Sequence, residues 1–200
     1  GFYTVVEAAL GADMVAQAES KELSEKGFLT SSCCPAFVQY VKSAFPELLP
    51  YVSHNLSPMA ALAKYLKSTD TSAKVVFIGP CTAKKAEIHL DTVKPYIDSA
   101  LTFEELQALF DSRDIDITTL DENELDNASY FGRIFARSGG LSDAVVQGLK
   151  EQNIEFDLKP AVCDGIEACR MALMKKSKNV LDANFIEGMA CIGGCIGGAG

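Results

Sequence analysis

An α/β fold, with mainly parallel strands flanked by helices, is predicted by three features of this sequence. Short apolar, partly β-branched runs such as Val75-Val76-Phe77-Ile78 alternate with longer segments patterned as helices. Glycine, proline and cysteine gather where such runs end, at residues 31–35, 79–84 and 187–195. The 200 residues are 48% apolar, enough to bury a substantial core in one domain or two small ones. In parallel sheets the carboxyl ends of the strands are where ligands collect, so motifs at strand ends are candidate site residues.

In chain order, residues 5–26 read as a helix rich in Ala, Glu and Met with a soft interruption at Gly11. Residues 27–30 read as a short buried strand feeding Cys33-Cys34. Pro35 suits the first turn of the next helix, where its missing N–H is not needed, and Phe37, Val38, Tyr40 and Val41 supply an apolar face. Cys34 thus stands at a helix N-terminus, where free N–H groups and the helix dipole favour a thiolate. After a turn region at 50–55, Ser57-Pro58 opens a helix through Met59, Leu62 and Tyr65, and residues 74–78 form a core strand running into Gly79-Pro80-Cys81. Thr102 with Glu105 is a capping box for a helix through Leu106 and Phe110, and the acidic stretch 111–126 is a surface excursion. Ser138-Gly139-Gly140 precedes a helix over 141–151, residues 154–158 read as a strand, and 165–175 form a helix with a basic last turn. Residues 180–185 are then the last strand, delivering Glu187 and the third motif to the same end of the sheet.

Composition narrows the function classes. A formal charge of −9 with dispersed Lys and Arg leaves no basic patch for phosphates, so no nucleic acid is expected. No stretch approaches about eighteen uninterrupted apolar residues, and the start lacks a secretory signal, so a cytoplasmic protein with no membrane contact is expected. Seven cysteines are odd in number and too dilute for a disulfide scaffold, and vicinal Cys33 and Cys34 would make a strained ring. Reduced thiols in such a compartment point to metal binding or catalysis. The start at Gly1 and the end in Gly197-Gly198-Ala199-Gly200 suggest a fragment of a longer domain.

Five of the seven cysteines lie in the three motifs. A cubane iron-sulfur cluster needs four converging thiolates, which glycine-rich turns at strand ends allow. Cys191 and Cys195 place two sulfurs on one turn; Cys81 and one member of the Cys33-Cys34 pair complete four. Cys163 and Cys169 are expected to be buried packing residues. His54 and His89 lack partners at metal-ligand spacing and are expected at the surface or locally hydrogen-bonded. Four thiolates also suit zinc, but these are too dispersed for paired C-x2-C knuckles.

In this order, Ser31-Ser32-Cys33-Cys34-Pro35, Pro80-Cys81 with Lys84 and Glu87, and Glu187-x-Met189-Ala190-Cys191-x-x-Gly194-Cys195 resemble the three motifs of the catalytic domain of iron-only (FeFe) hydrogenases. The resemblance implies the large-subunit fold of that family, here a truncated domain over 1–200 with two α/β lobes around the cluster site. It implies that Cys34, Cys81, Cys191 and Cys195 bind a 4Fe-4S cluster, Cys195 also bridging to a diiron subcluster that carries CO, cyanide and a dithiolate. Cys33 would be the proton donor, Lys84 would hydrogen-bond a cyanide, and Met189 would pack against the diiron unit. Glu19, Glu22 and Ser53 stand where the family has proton-relay residues; on residue type alone, Glu19 and Glu22 would be solvated glutamates three apart on one helix face. The implied activity is reversible reduction of protons to H2 under anaerobic conditions, with a ferredoxin-like electron partner and maturation proteins that install the cluster. Phe37, Gly79 and Met59 replace the family's usual Trp, Met and Gln, changes expected to alter the diiron pocket and to suit a slower, hydrogen-sensing role. A second reading is a non-catalytic 4Fe-4S protein similar to the hydrogenase-related assembly and lamin-recognition factors.

Overall fold

A computed structural model of the chain describes residues 2–200; Gly1 lies outside them. The first helix, α1 (Ala8–Lys26), runs without a break at Gly11, because a Cβ there would meet the Pro58 carbonyl and the glycine lets two helices touch. It ends at Gly27, whose φ of 72° is the left-handed conformation glycine adopts freely. β1 (Leu29–Thr30) follows, then α2 (Pro35–Ala44), a 3₁₀ turn over Pro46–Tyr51, α3 (Pro58–Thr69) and β2 (Val76–Ile78). Next come α4 (Ala83–Glu87), β3 (Ser99–Leu101), α5 (Phe103–Asp111) and α6 (Tyr130–Ile134). α7 (Gly140–Glu151), β4 (Pro160–Asp164), α8 (Ile166–Ser177) and β5 (Phe185–Met189) complete the order.

The strands form two parallel sheets, one ordered β1-β5-β4 and the other β2-β3. β5 is central, with Leu29 opposite Phe185 and Val162 opposite Glu187. Its side chains alternate between faces as a strand dictates. Phe185 and Met189 join the core under α1 and α7, while Ile186 joins Phe37, Val41 and Leu173 under α2 and α8. A third core of Met59, Ala60, Ala63, Val93 and Ile97 lies under α3, beside the β2-β3 sheet.

Two strand expectations are corrected. Residues 154–158 are irregular, since Ile154, Phe156 and Leu158 pack individually against the first core, and the strand begins instead at Pro160. The last strand covers 185–189 rather than 180–185; Val180 is exposed, and the third motif is itself the buried central strand. The short elements β3, α4 and α6 carry too few residues for a periodic signal. The capping box at Thr102 and Glu105 forms, with both reciprocal hydrogen bonds present, and residues 111–126 lie exposed. Cys163 and Cys169 are buried in the second core, as packing residues should be.

Candidate metal centre

Three segments carry the motif thiols to one region. Cys34 caps α2, its Sγ accepting the Phe37 N–H at 3.4 Å, with Pro35 in the first turn. Cys81 lies between β2 and α4, and α4 packs against α2. The turn after β5 carries Cys191 and Cys195. Gly193 and Gly194 there have φ of 81° and 86°, which side-chain-bearing residues rarely adopt. That turn is tied on three sides: Gly193 N–H donates to Asp164 at 2.9 Å, Ser138 N–H to the Gly193 carbonyl at 3.0 Å, and Cys195 N–H to the Ala136 carbonyl at 2.7 Å. Gly200 N–H reaches the Pro80 carbonyl at 3.2 Å, closing the third motif onto the second.

The thiols are close enough to influence each other electrostatically. Burial pushes the Cys195 thiol up to about 11, and Cys34, Cys81 and Cys191 add to the rise while Lys84 opposes it. Burial likewise raises Cys191, with Cys34 and Cys81 contributing. Among the described residues, no three His, Cys, Asp or Glu side chains come together as ligands of one ion. A cubane asks for a wider arrangement, since each thiolate binds a different iron at a separate corner. Four soft sulfur donors, one at a helix N-terminus and two on a glycine turn, fit such a cluster in chemistry and placement.

Cys33 is buried beside this set, and desolvation holds its thiol well above the ordinary value, with Glu19 the next largest cause. Glu19 is fully buried rather than solvated, and burial raises its carboxyl to about 8. One oxygen faces the Ser32 N–H at 3.4 Å, and the other has no hydrogen-bond partner. Ser53, near enough to hold the Glu19 carboxyl down somewhat against burial, donates to Glu22 at 2.9 Å. Burial pushes the Glu22 carboxyl up, but bonds from Lys26, Ser53 and the His54 amide outweigh it and hold Glu22 below the ordinary range. A cleft of about 670 Å³ between α2, α4 and residues 52–57 opens onto Ser53 and His54. The neutral, buried end of this chain therefore faces Cys33 and its ionised end faces water. Lys84 is buried on α4, donating to the Cys33 carbonyl at 3.2 Å and to Glu87 at 2.6 Å, whereas Lys85 turns out to Glu105.

The profile of a family described as iron only hydrogenase large subunit, C-terminal domain, matches residues 1–199. The chain belongs to that family. It is 28% identical, over 249 aligned positions and its whole length, to iron hydrogenase 1 of Clostridium pasteurianum, of which the match covers 43%. It is 27% identical over 167 positions to the cytosolic Fe-S cluster assembly factor NAR1 of Kluyveromyces lactis, covering 78% of this chain and 36% of that protein. The chain thus spans less than half the length of these relatives. Apo FeFe-hydrogenase HydA1 of Chlamydomonas reinhardtii superposes with a TM-score of 0.76 at 22% identity, over all of this chain and 70% of that one, which shows the shared fold.

The other predicted positions of this iron-only hydrogenase domain have definite surroundings. Phe37 fills the space over Gly188, where a Cβ would collide with its ring, and Met59 packs in the third core. Both pack between elements, and the Phe37 N–H also bonds the Cys34 sulfur. Met189 is buried in the first core together with Cys33 and Cys195. His89 is exposed, and exposed His54 contacts Glu22. Sequence reasoning missed the role of Glu187, whose carboxylate is fully buried. It accepts the Gly139 N–H at 2.7 Å and the Ser142 N–H and hydroxyl at 2.8 and 2.6 Å, clamping β5 to the start of α7. The Ser138-Gly139-Gly140 turn, weak as a motif, was the available signal, since a glycine turn before a helix offers free N–H groups to a carboxylate.

Proposed function

We propose that this chain holds the hydrogen-reacting centre of an iron-only hydrogenase, for reversible oxidation of H2 and reduction of protons. Cys34, Cys81, Cys191 and Cys195 would hold a 4Fe-4S cluster, Cys195 also bridging to a diiron subcluster with CO, cyanide and dithiolate ligands. When bound, that group supplies the redox chemistry of iron that side chains cannot perform. The residues of the chain supply the proton. Cys33 keeps its proton on Sγ in a buried site, and Glu19, neutral up to about pH 8, can exchange one with it. Ser53, at the cleft, continues the path to Glu22. Lys84, held by Glu87 and the Cys33 carbonyl, has a third N–H for an anionic ligand such as cyanide. Met189 would pack against the diiron unit.

The observation that carries this reading is the buried Cys33 thiol beside the buried, neutral Glu19. A protein that only passes electrons has no need of a protonated carboxyl next to a protonated thiol. On the same reading the two sheets are two lobes around the centre, the compartment is the cytoplasm, electrons pass to a ferredoxin-like partner, and maturation proteins install the diiron unit. The replacements at Phe37, Gly79 and Met59 favour slow, hydrogen-sensing turnover. Similarity to the NAR1 assembly factor favours a second reading, a 4Fe-4S protein without the diiron unit.

Infrared spectroscopy of the full-length protein, made anaerobically with the maturation proteins, separates the two. Bands of iron-bound CO and cyanide that vanish in Cys195→Ala are expected. An intact 4Fe-4S signal without those bands would overturn the hydrogenase reading in favour of the second.

A further inference from the structure

His54 stands at the outer end of the proton path in a geometry that surface histidines without a role do not need. Its ring is mostly exposed, with 76% of the side chain open to solvent. Nδ1 nonetheless lies 3.1 Å from Glu22 Oε1 and 3.0 Å from Lys26 Nζ. The His54 backbone N–H also donates to both Glu22 oxygens at 3.3 Å, which holds the residue against that carboxylate. Lys26 bonds the same Oε1 at 2.6 Å, so lysine and imidazole share one oxygen. Lys42 of α2 and Glu87 of α4 line the same cleft.

We infer that His54 collects protons from solvent and delivers them to Glu22. The inference rests on the proton path proposed above and extends it to bulk water. In the resting arrangement Nε2 keeps its hydrogen and Nδ1 accepts a hydrogen bond from Lys26. A solvent or buffer acid protonates Nδ1, giving the imidazolium and repelling the Lys26 ammonium. The Nδ1–H bond then breaks as Glu22 Oε1 takes the proton, and the ring returns to its starting tautomer. No electron moves and no other reactant is required. Histidine suits this work because a ring nitrogen can both accept and donate a proton, whereas a lysine ammonium offers only donors.

The test follows deuteration of the Glu19 carboxyl through its infrared C=O stretch after rapid mixing into D2O. It uses the full-length protein with its cluster, at about pH 6, where Glu19, raised to about 8, is protonated. His54→Gln should slow exchange about tenfold or more, and added imidazole should restore it. Glu22→Gln should slow it without rescue, and Lys42→Met, on the exposed side of the same cleft, should leave it as fast as in the parent. An unchanged rate in His54→Gln, slowing that imidazole does not relieve, or equal slowing in Lys42→Met would each overturn the assignment. Because the carboxyl itself is read, rather than hydrogen turnover, this result stands apart from the search for iron-bound CO and cyanide. A protein lacking those bands but showing the His54 effect would fail the hydrogenase reading alone.

Discussion

Glu19→Gln should flatten the pH dependence of stability. The Glu19 carboxyl titrates at 4.5 in an unconstrained chain and at about 8 when buried in the fold. Above about pH 4.5 the unfolded chain ionises this group while the folded chain keeps its proton, so the unfolded state binds fewer protons and stability falls as pH rises. The loss levels off above about 8, where the folded form ionises too. At about 1.4 kcal/mol per pH unit the full effect is about 5 kcal/mol, of which about 3.5 kcal/mol develops between about pH 5 and pH 8. Glutamine carries no titrating proton and removes that slope. It also places a polar atom where Oε2 has no partner, a pH-independent cost of about 1–3 kcal/mol, so the slope is the informative quantity. Burial raises Glu187 as well, but it is common to both proteins and cancels in their difference. Urea unfolding of parent and variant across this range measures it. Parallel curves would refute the claim that Glu19 is held neutral by burial.

Two further outcomes follow from packing around the site. Lys84→Met strands the Glu87 carboxylate, since the pair meets at 2.6 Å with both side chains under a tenth exposed, and should cost about 3–5 kcal/mol in chemical denaturation. Adding Glu87→Leu should recover most of that loss, and failure to do so would mean the pair is not the cause. Gly188→Ala drives a methyl into the Phe37 ring and should cost about 1–3 kcal/mol. Phe37→Leu in the same chain should relieve part of it, and two additive losses would argue against the collision.

Much of the fold was legible because its long elements carry local signals. The 19 residues of α1, Pro35 and Pro58 in the first turns of α2 and α3, and the reciprocal cap at Thr102 all follow from nearest-neighbour chemistry. The strands were less legible. β5 reads Phe-Ile-Glu-Gly-Met, and a glutamate and a glycine in its centre hide a strand whose five residues are all buried. Glu187 is tolerated there only because α7 offers two N–H groups and a hydroxyl, and Gly188 because Phe37 fills its place. Those partners are 45 to 151 residues away, beyond any local pattern.

The same division runs through the site. Residue type and spacing alone determined which thiols are candidate ligands, because cysteines between glycine and proline have little to do in a core. Composition also excluded a basic phosphate-binding surface. Which glutamate is neutral was decided by tertiary structure: Glu19 and Glu22 lie three apart on one helix, yet one is sealed beneath Ser32 and the other is partly exposed and bonded by Lys26 and Asn55. Desolvation and hydrogen bonding set a carboxyl's proton affinity, and both depend on what the rest of the chain packs against it.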